Sequence, residues 1–164
     1  MSNEPTPNEA LRKQAWDYFQ MHSSQRLTTF NFYIVISSVI ATALFSTFQK
    51  DYKVPSLGVF LGLLMVLFSY IFWKLDVRNK QLIKGAEAAL KYFEGISELE
   101  DKDGMPHIAK LFQHEEYETN KRKDNNSMFP WKSFYSYSNS INRIFLAFAI
   151  VGLIGAVVAA IRFF

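Results

Sequence analysis

The stretch RLTTFNFYIVISSVIATALFSTFQK (26–50), continued by DYKVPSLGVFLGLLMVLFSYIFWKLDVR (51–78), decides the fold. It holds two uncharged segments, 23 residues at 27–49 and 20 residues at 54–73. As α-helices, both are long enough to cross about 30 Å of hydrocarbon. In lipid every backbone N–H and C=O has to be paired within the chain, so a helical hairpin is the economical solution. A third uncharged run of 18 residues, Ile144–Ile161, lies between Arg143 and Arg162. The fold class expected is all-α: an integral membrane protein with three transmembrane helices and a small cytoplasmic helical region.

Composition alone conceals this. A mean hydropathy near zero and 49% hydrophobic residues would suit a soluble domain. The average arises because apolar tracts are diluted by charged ones. With no cysteine, disulfides, thiolate catalysis and cysteine-based metal sites are excluded. Of 18 Lys and Arg, three precede the first span, two lie in the turn, twelve separate spans two and three, and one follows the third. Basic residues mark the cytoplasmic side. The N-terminus and residues 74–143 are therefore expected inside, with the turn and the C-terminus outside. Met1–Ala10 is polar and lacks the pattern of a signal peptide.

In chain order, 1–8 reads as a flexible arm and 9–28 as an amphipathic helix. Leu11, Ala15, Tyr18 and His22 recur in it at helical spacing. That helix either packs on the cytoplasmic helices or lies in the membrane interface. Next come the first span (29–49), a short outer turn (50–54), the second span (55–73), the cytoplasmic region (74–143), the third span (144–161) and an outer C-terminus (162–164). The second helix is expected to continue past the membrane, to about Phe93, and to end near Gly95. A short helix is expected from His107 to about Glu116, and 117–130 reads as a mobile loop. Trp131, Phe134 and Tyr135 read as a return to the interface, with Asn139 or Ser140 capping the last helix.

Three groups of residues are candidates for function. Ser38, Thr42 and Ser46 form a hydroxylated stripe on the first span. They either pack against another helix, with hydroxyls bonded internally, or line a wet path through an oligomer. Arg26, Asp76 and Arg78 flank the inner ends of the hairpin. An Arg–carboxylate pair there would act as a structural lock; headgroup contact and an ion gate are the alternatives. Gly58 with Gly62, Gly152 with Ala156, and Gly155 with Ala159 stand at the small-xxx-small spacing of close helix packing. No catalytic residues are assigned, no nucleotide-binding fingerprint is present, and no cofactor is expected. His107 and His114 read as solvated surface rather than metal ligands. Lys121, Arg122 and Lys123 read as a solvated charge run, so nucleic acid is not an expected partner.

Gln25-Arg26-Leu27-Thr28-Thr29-Phe30-Asn31-Phe32-Tyr33, together with Phe72-Trp73-Lys74-Leu75-Asp76-Val77-Arg78 and its continuation Asn79–Glu87, resembles the RipA-like octameric membrane proteins of bacteria, which are linked to anti-phage defence. The resemblance covers roughly residues 10–95. It implies a cyclic homo-oligomer of the inner membrane, octameric, that permeabilises the membrane when infection is sensed. It also implies an unidentified trigger or partner protein, with membrane lipids as the surrounding medium. The alternative is a non-conducting scaffold or sensor that recruits a soluble partner through residues 79–140.

Overall fold

The computed structural model describes residues 6–49, 55–97, 99, 101, 105–125 and 137–163. The outer turn, the interfacial return at Trp131, Phe134 and Tyr135, residues 1–5 of the arm and Phe164 lie outside the described residues. The fold is all-α. The helices are α1 (Pro7–Ser46), α2 (Pro55–Gly95), α3 (Leu111–Asn125) and α4 (Tyr137–Phe163). Three of them are long and apolar enough to cross a membrane; α3 is not. At 40 and 41 residues, α1 and α2 exceed the roughly 20 residues a span needs, so only part of each can sit in hydrocarbon.

Local chemistry sets the ends of these helices. The α1 start is a reciprocal capping box around Pro7. Thr6 N–H donates to Glu9 Oε2 at 2.7 Å, and Glu9 N–H donates to Thr6 Oγ1 at 3.3 Å. Two end groups are thereby satisfied, and proline at the first helical position lacks a donor that would otherwise be orphaned. Proline opens α2 in the same way, and Gly95 closes it.

The chain divides into two compact units, Met1–Ser24 with Lys80–Tyr135, and Gln25–Asn79 with Ser136–Phe164. In the first, α3 begins later than the periodicity places it and runs on through Thr119–Asn125, which composition assigns to a loop. The cause is tertiary. Glu94 Oε1 accepts the Phe112 N–H at 3.1 Å and Oε2 the Gln113 N–H at 3.0 Å, so a carboxylate from α2 caps α3. Upstream, Asp101 accepts from the His107 N–H at 3.2 Å and from Lys110 Nζ at 2.8 Å. Those bonds hold the segment before Leu111 out of the helix. Downstream, Lys91 pairs with Glu116 at 2.9 Å, and Gln113 Nε2 donates to the Lys91 carbonyl at 2.9 Å. A polar helix with little propensity to spare is thus anchored to α2.

In the second unit, α1, α2 and α4 enclose two apolar clusters. One is Tyr33, Ile141 and Phe145, flanked by Phe30, Phe72 and Phe148. The other is Ile40, Leu44 and Met65, flanked by Leu61, Leu64 and Phe68. Gly58, Gly62, Gly152, Gly155, Ala156 and Ala159 are all buried in this unit. A Cβ on Gly62 would stand 2.5 Å from the Gly152 carbonyl and 2.7 Å from the Ala156 nitrogen. One on Gly152 would stand 2.7 Å from the Gly62 carbonyl. Both obstacles are backbone, so α2 and α4 touch main chain to main chain here.

Gly62→Val is expected to cost about 1–3 kcal/mol through overpacking, seen as a lower thermal midpoint in detergent. Gly85, on the exposed side of α2 with nothing within 4 Å of an added Cβ, is the control. Gly85→Ala should stabilise by about 0.5–1 kcal/mol. The Asp101 clasp adds a pH dependence. The Lys110 hydrogen bond, reinforced by the His107 N–H, holds this carboxyl below its ordinary value. A lowered folded pKa contributes stability above the unfolded value of about 3.9, lost as pH falls through the folded value. Protection of the His107 amide, measured relative to its intrinsic exchange rate at each pH, should therefore hold at neutral pH and fall only below that range. In Asp101→Asn this acid-induced step should vanish.

Candidate functional site

One polar cluster of the second unit lies at the start of its α1 segment. Arg26 Nε donates to Asp76 Oδ1 at 2.7 Å, and Nη2 donates to Oδ2 at 3.0 Å. Two parallel bonds make a fork-on-fork pair, which fixes orientation as well as distance. Nη2 also reaches Ser138 Oγ at 3.4 Å, so one guanidinium touches α1, α2 and α4. The side chains are 12% and 5% exposed. Removing them from water consumes much of the Coulomb attraction, so the pair contributes little net stability. Losing one partner, however, leaves a buried charge unmatched. Arg78, grouped with them on sequence grounds, lies on the exposed surface of α2 and does not join the pair.

Deeper in the unit, Tyr33 is fully buried and its hydroxyl lies 2.9 Å from Ser69 Oγ. Ser69 donates its own proton to the Met65 carbonyl at 2.9 Å. Tyr33 is therefore the donor to Ser69, since a serine has only one proton to give. The Tyr33 ring packs against Phe72, Phe145 and Phe148 at centroid distances of 5.4, 4.6 and 5.7 Å. Elsewhere in the unit Arg162 Nη1 donates to the Phe48 carbonyl at 2.9 Å, and its guanidinium lies 5.5 Å from the Phe48 ring centre. A cation satisfying a carbonyl just past the end of α1 is the favourable sense for a helix dipole.

Neither the Ser138 contact nor the Arg162 clasp was foreseen from the sequence. Ser69 did carry a signal, as the lone hydroxyl in an otherwise apolar second span. Ser138 carried none, standing among several serines.

Ser38, Thr42 and Ser46 lie on the exposed side of α1, opposite Tyr33, Ser37, Ile40 and Leu44. Their hydroxyls donate to the carbonyls four residues back, Ile34, Ser38 and Thr42, at 2.7, 2.9 and 2.9 Å. Asn31 shares that side. The outward faces of the other two spans differ. α2 presents Phe60, Leu63 and Leu67, and α4 presents Leu146, Ile150 and Leu153, all apolar and all exposed. Within the membrane-length segments the exposed polar residues thus fall chiefly on α1, where they alternate with the equally exposed Phe32, Val35, Val39 and Phe45.

His107 precedes α3 rather than lying on it; its Nδ1 accepts the Ala109 N–H at 3.2 Å. His114 Nδ1 lies 3.3 Å from the Pro106 carbonyl. Among the described residues no cluster of three His, Cys, Asp or Glu could hold a metal.

Three membrane-length helices closed on backbone contacts and a desolvated ion pair define a multi-pass helical membrane protein. Residues 9–161 match the octameric membrane protein family (8xMP), and the chain belongs to that family. Over 79 residues it is 43% identical to CD-NTase-associated protein 19 of Escherichia coli. That alignment covers 48% of this chain and 52% of the relative, so it spans about half the length of the curated protein it matches. No solved structure matches.

Asp76→Ala is expected to destabilise the protein by about 3–5 kcal/mol, the scale of breaking a buried, bidentate ion pair from one side. Replacing both, Arg26→Met with Asp76→Leu, should cost much less than Asp76→Ala alone. Arg26→Lys, which cannot form two parallel bonds, should fall between. Thermal unfolding of the four proteins in one detergent checks the order.

Proposed function

We propose that the protein is a membrane effector of bacterial anti-phage defence, assembled as a closed octamer in the inner membrane. On activation it opens a path through the bilayer. Family membership supports the octamer. The likeness to a CD-NTase-associated protein supports the link to defence, as does the RipA-like resemblance of Gln25–Tyr33 and Phe72–Glu87. The reading involves no catalytic step. It takes the N-terminus and residues 74–143 as cytoplasmic, on the distribution of Lys and Arg, with a trigger or partner protein supplying the signal.

The observation that carries it is the unequal polarity of the outward faces. Lipid tails solvate the α2 and α4 faces well and offer nothing to Asn31, Ser38, Thr42 and Ser46. We therefore assign α1 to the symmetry axis, with Ser38, Thr42 and Ser46 as its lining and Arg26–Asp76 as the lock that holds that face in position. A second reading, the non-conducting scaffold, is favoured by two observations. The three hydroxyls are already bonded to carbonyls and need no water. In the other unit Tyr92, Ile108 and Leu111 are 66%, 72% and 67% exposed, which offers apolar surface to a soluble partner.

In cells expressing the full-length protein, phage challenge should depolarise the inner membrane. Thr42→Leu with Ser46→Leu should abolish depolarisation without changing the size of the purified particle. Protection that persists without depolarisation would move the assignment to the scaffold. A particle image with α2 or α4 nearest the axis would remove the proposed lining.

A further inference from the structure

A cavity of about 370 Å³ opens in the unit formed by Met1–Ser24 and Lys80–Tyr135. Its volume falls in the small-molecule range of about 300–1,000 Å³. Glu9, Arg12, Lys13 and Trp16 of α1 line one side, and Leu90, Glu94 and Phe112 line the other. Leu90 is buried, and Trp16 is 47% exposed. Trp16 stacks on Phe19 with ring centres 5.8 Å apart, and Phe19 meets Phe112 edge-on at 5.3 Å. The aromatic wall is therefore braced from behind while one ring stays open to solvent.

The charges around the cavity are not equivalent. Both Glu94 oxygens are committed to the first turn of α3. Glu9 is committed to Thr6, whose backbone N–H and hydroxyl hold its carboxyl below the ordinary value. Among the described residues, Arg12 and Lys13 have no hydrogen-bond or ion-pair partner. Formal charge in the lining balances, but the acids already have donors of the protein's own, whereas the two cations have no acceptor among the described residues. Two adjacent unpaired cations beside an accessible indole and an apolar floor suit one ligand chemistry. The cations take up anionic oxygens with charge-assisted bonds, and the ring and floor take up an attached apolar body.

We infer that this cavity binds an organic phosphate, with its phosphate oxygens on Arg12 and Lys13 and its apolar portion against Trp16 and Phe112. A soluble phosphate ester and a phospholipid headgroup share that chemistry, and the experiment separates them. Full-length protein is purified in a maltoside detergent, which contains no phosphate. It is titrated with adenosine monophosphate by calorimetry, with adenosine as the control. In parallel, phosphatidylglycerol is added to the micelles and retained lipid is read by native mass spectrometry.

Arg12→Gln and Lys13→Gln are each expected to weaken binding roughly tenfold, the scale of one charge-assisted bond. Trp16→Phe should retain binding and Trp16→Ala should lose it. Both cations are exposed, so the double variant is expected to keep its helical content and particle size, which circular dichroism and gel filtration check. Quenching of Trp16 fluorescence by adenosine monophosphate in a protein carrying Trp73→Phe and Trp131→Phe gives a readout that leaves the cations intact. Nucleotide binding that requires Arg12 and Lys13 identifies a soluble ester. Lipid retention that requires them identifies a headgroup. Binding of neither ligand, or binding that the double variant keeps, overturns the inference.

Discussion

The contact between Gly62 and Gly152 is the constraint on which the membrane-length unit rests. Lipid tails are as apolar as leucine, so burying side chains between spans gains little from the hydrophobic effect. Association then depends on dispersion between closely fitted surfaces, which weakens as soon as a gap opens. Backbone against backbone is the closest approach available, and only glycine on both helices permits it at this level. Close approach to side chains adds to it at Gly58, where an added Cβ would meet Ala159 Cβ and Thr47 Oγ1, both at 2.8 Å, and at Gly155 beneath Leu44. Large rings occupy the other cluster, where Tyr33 sits among Phe72, Phe145 and Phe148. Small residues at one level and aromatic rings at another give α4 a register against α1 and α2 as well as a distance.

A packed apolar bundle of this kind tolerates sliding and rotation better than it tolerates a misplaced polar group. The Arg26–Asp76 pair and the Tyr33–Ser69 bond turn that tolerance into a unique arrangement. Neither adds much net stability, because each has to be desolvated first. Rotating α1 within the unit, however, would strand a guanidinium, a carboxylate and a phenol at once. A buried charge with no partner is far more costly than a paired one is beneficial. The polar contacts therefore discriminate between packings more than they strengthen the one observed.

The spans were legible in the sequence because charge is excluded from hydrocarbon for a reason that does not depend on tertiary context. Arg26, Asp76, Arg143 and Arg162 stand at or just beyond the edges of the three uncharged runs. Arg26 and Asp76 could be paired from that alone, since a hairpin returns the chain to the depth at which it began. Which of Asp76 and Arg78 turns inward is a matter of two residues on a helix, and only the packed structure separates them. The α3 helix was misjudged for the opposite reason. Leu111–Asn125 is polar nearly throughout, and its helical state depends on Glu94, Lys91 and Asp101. Those residues lie on α2 or in the segment before α3, and no local pattern announces a cap supplied from another element. The Thr6-Pro7-Asn8-Glu9 box is the contrasting case, a cap contained within four consecutive residues and open to reading from sequence.

The outward faces bear on the surroundings of the bundle. A hydroxyl that bonds the carbonyl four residues back is satisfied within its own helix, so Ser38, Thr42 and Ser46 are not costly to place in lipid. What their positions show is a preference rather than a necessity. An apolar residue would serve better against lipid, as Phe60, Leu63 and Leu67 do on α2 and Leu146, Ile150 and Leu153 on α4. Small hydroxylated residues serve better where another helix or water comes close, because they present little bulk and retain an acceptor lone pair. Asn31 strengthens the inference, since its amide cannot be satisfied by one carbonyl alone. The face of α1 that turns away from its own bundle thus mixes Asn31, Ser38, Thr42 and Ser46 with the exposed Phe32, Val35, Val39 and Phe45, whereas the corresponding faces of α2 and α4 are more uniformly apolar. For a chain of a family described as octameric, small hydroxylated residues on that face are compatible with the close approach of a neighbouring subunit.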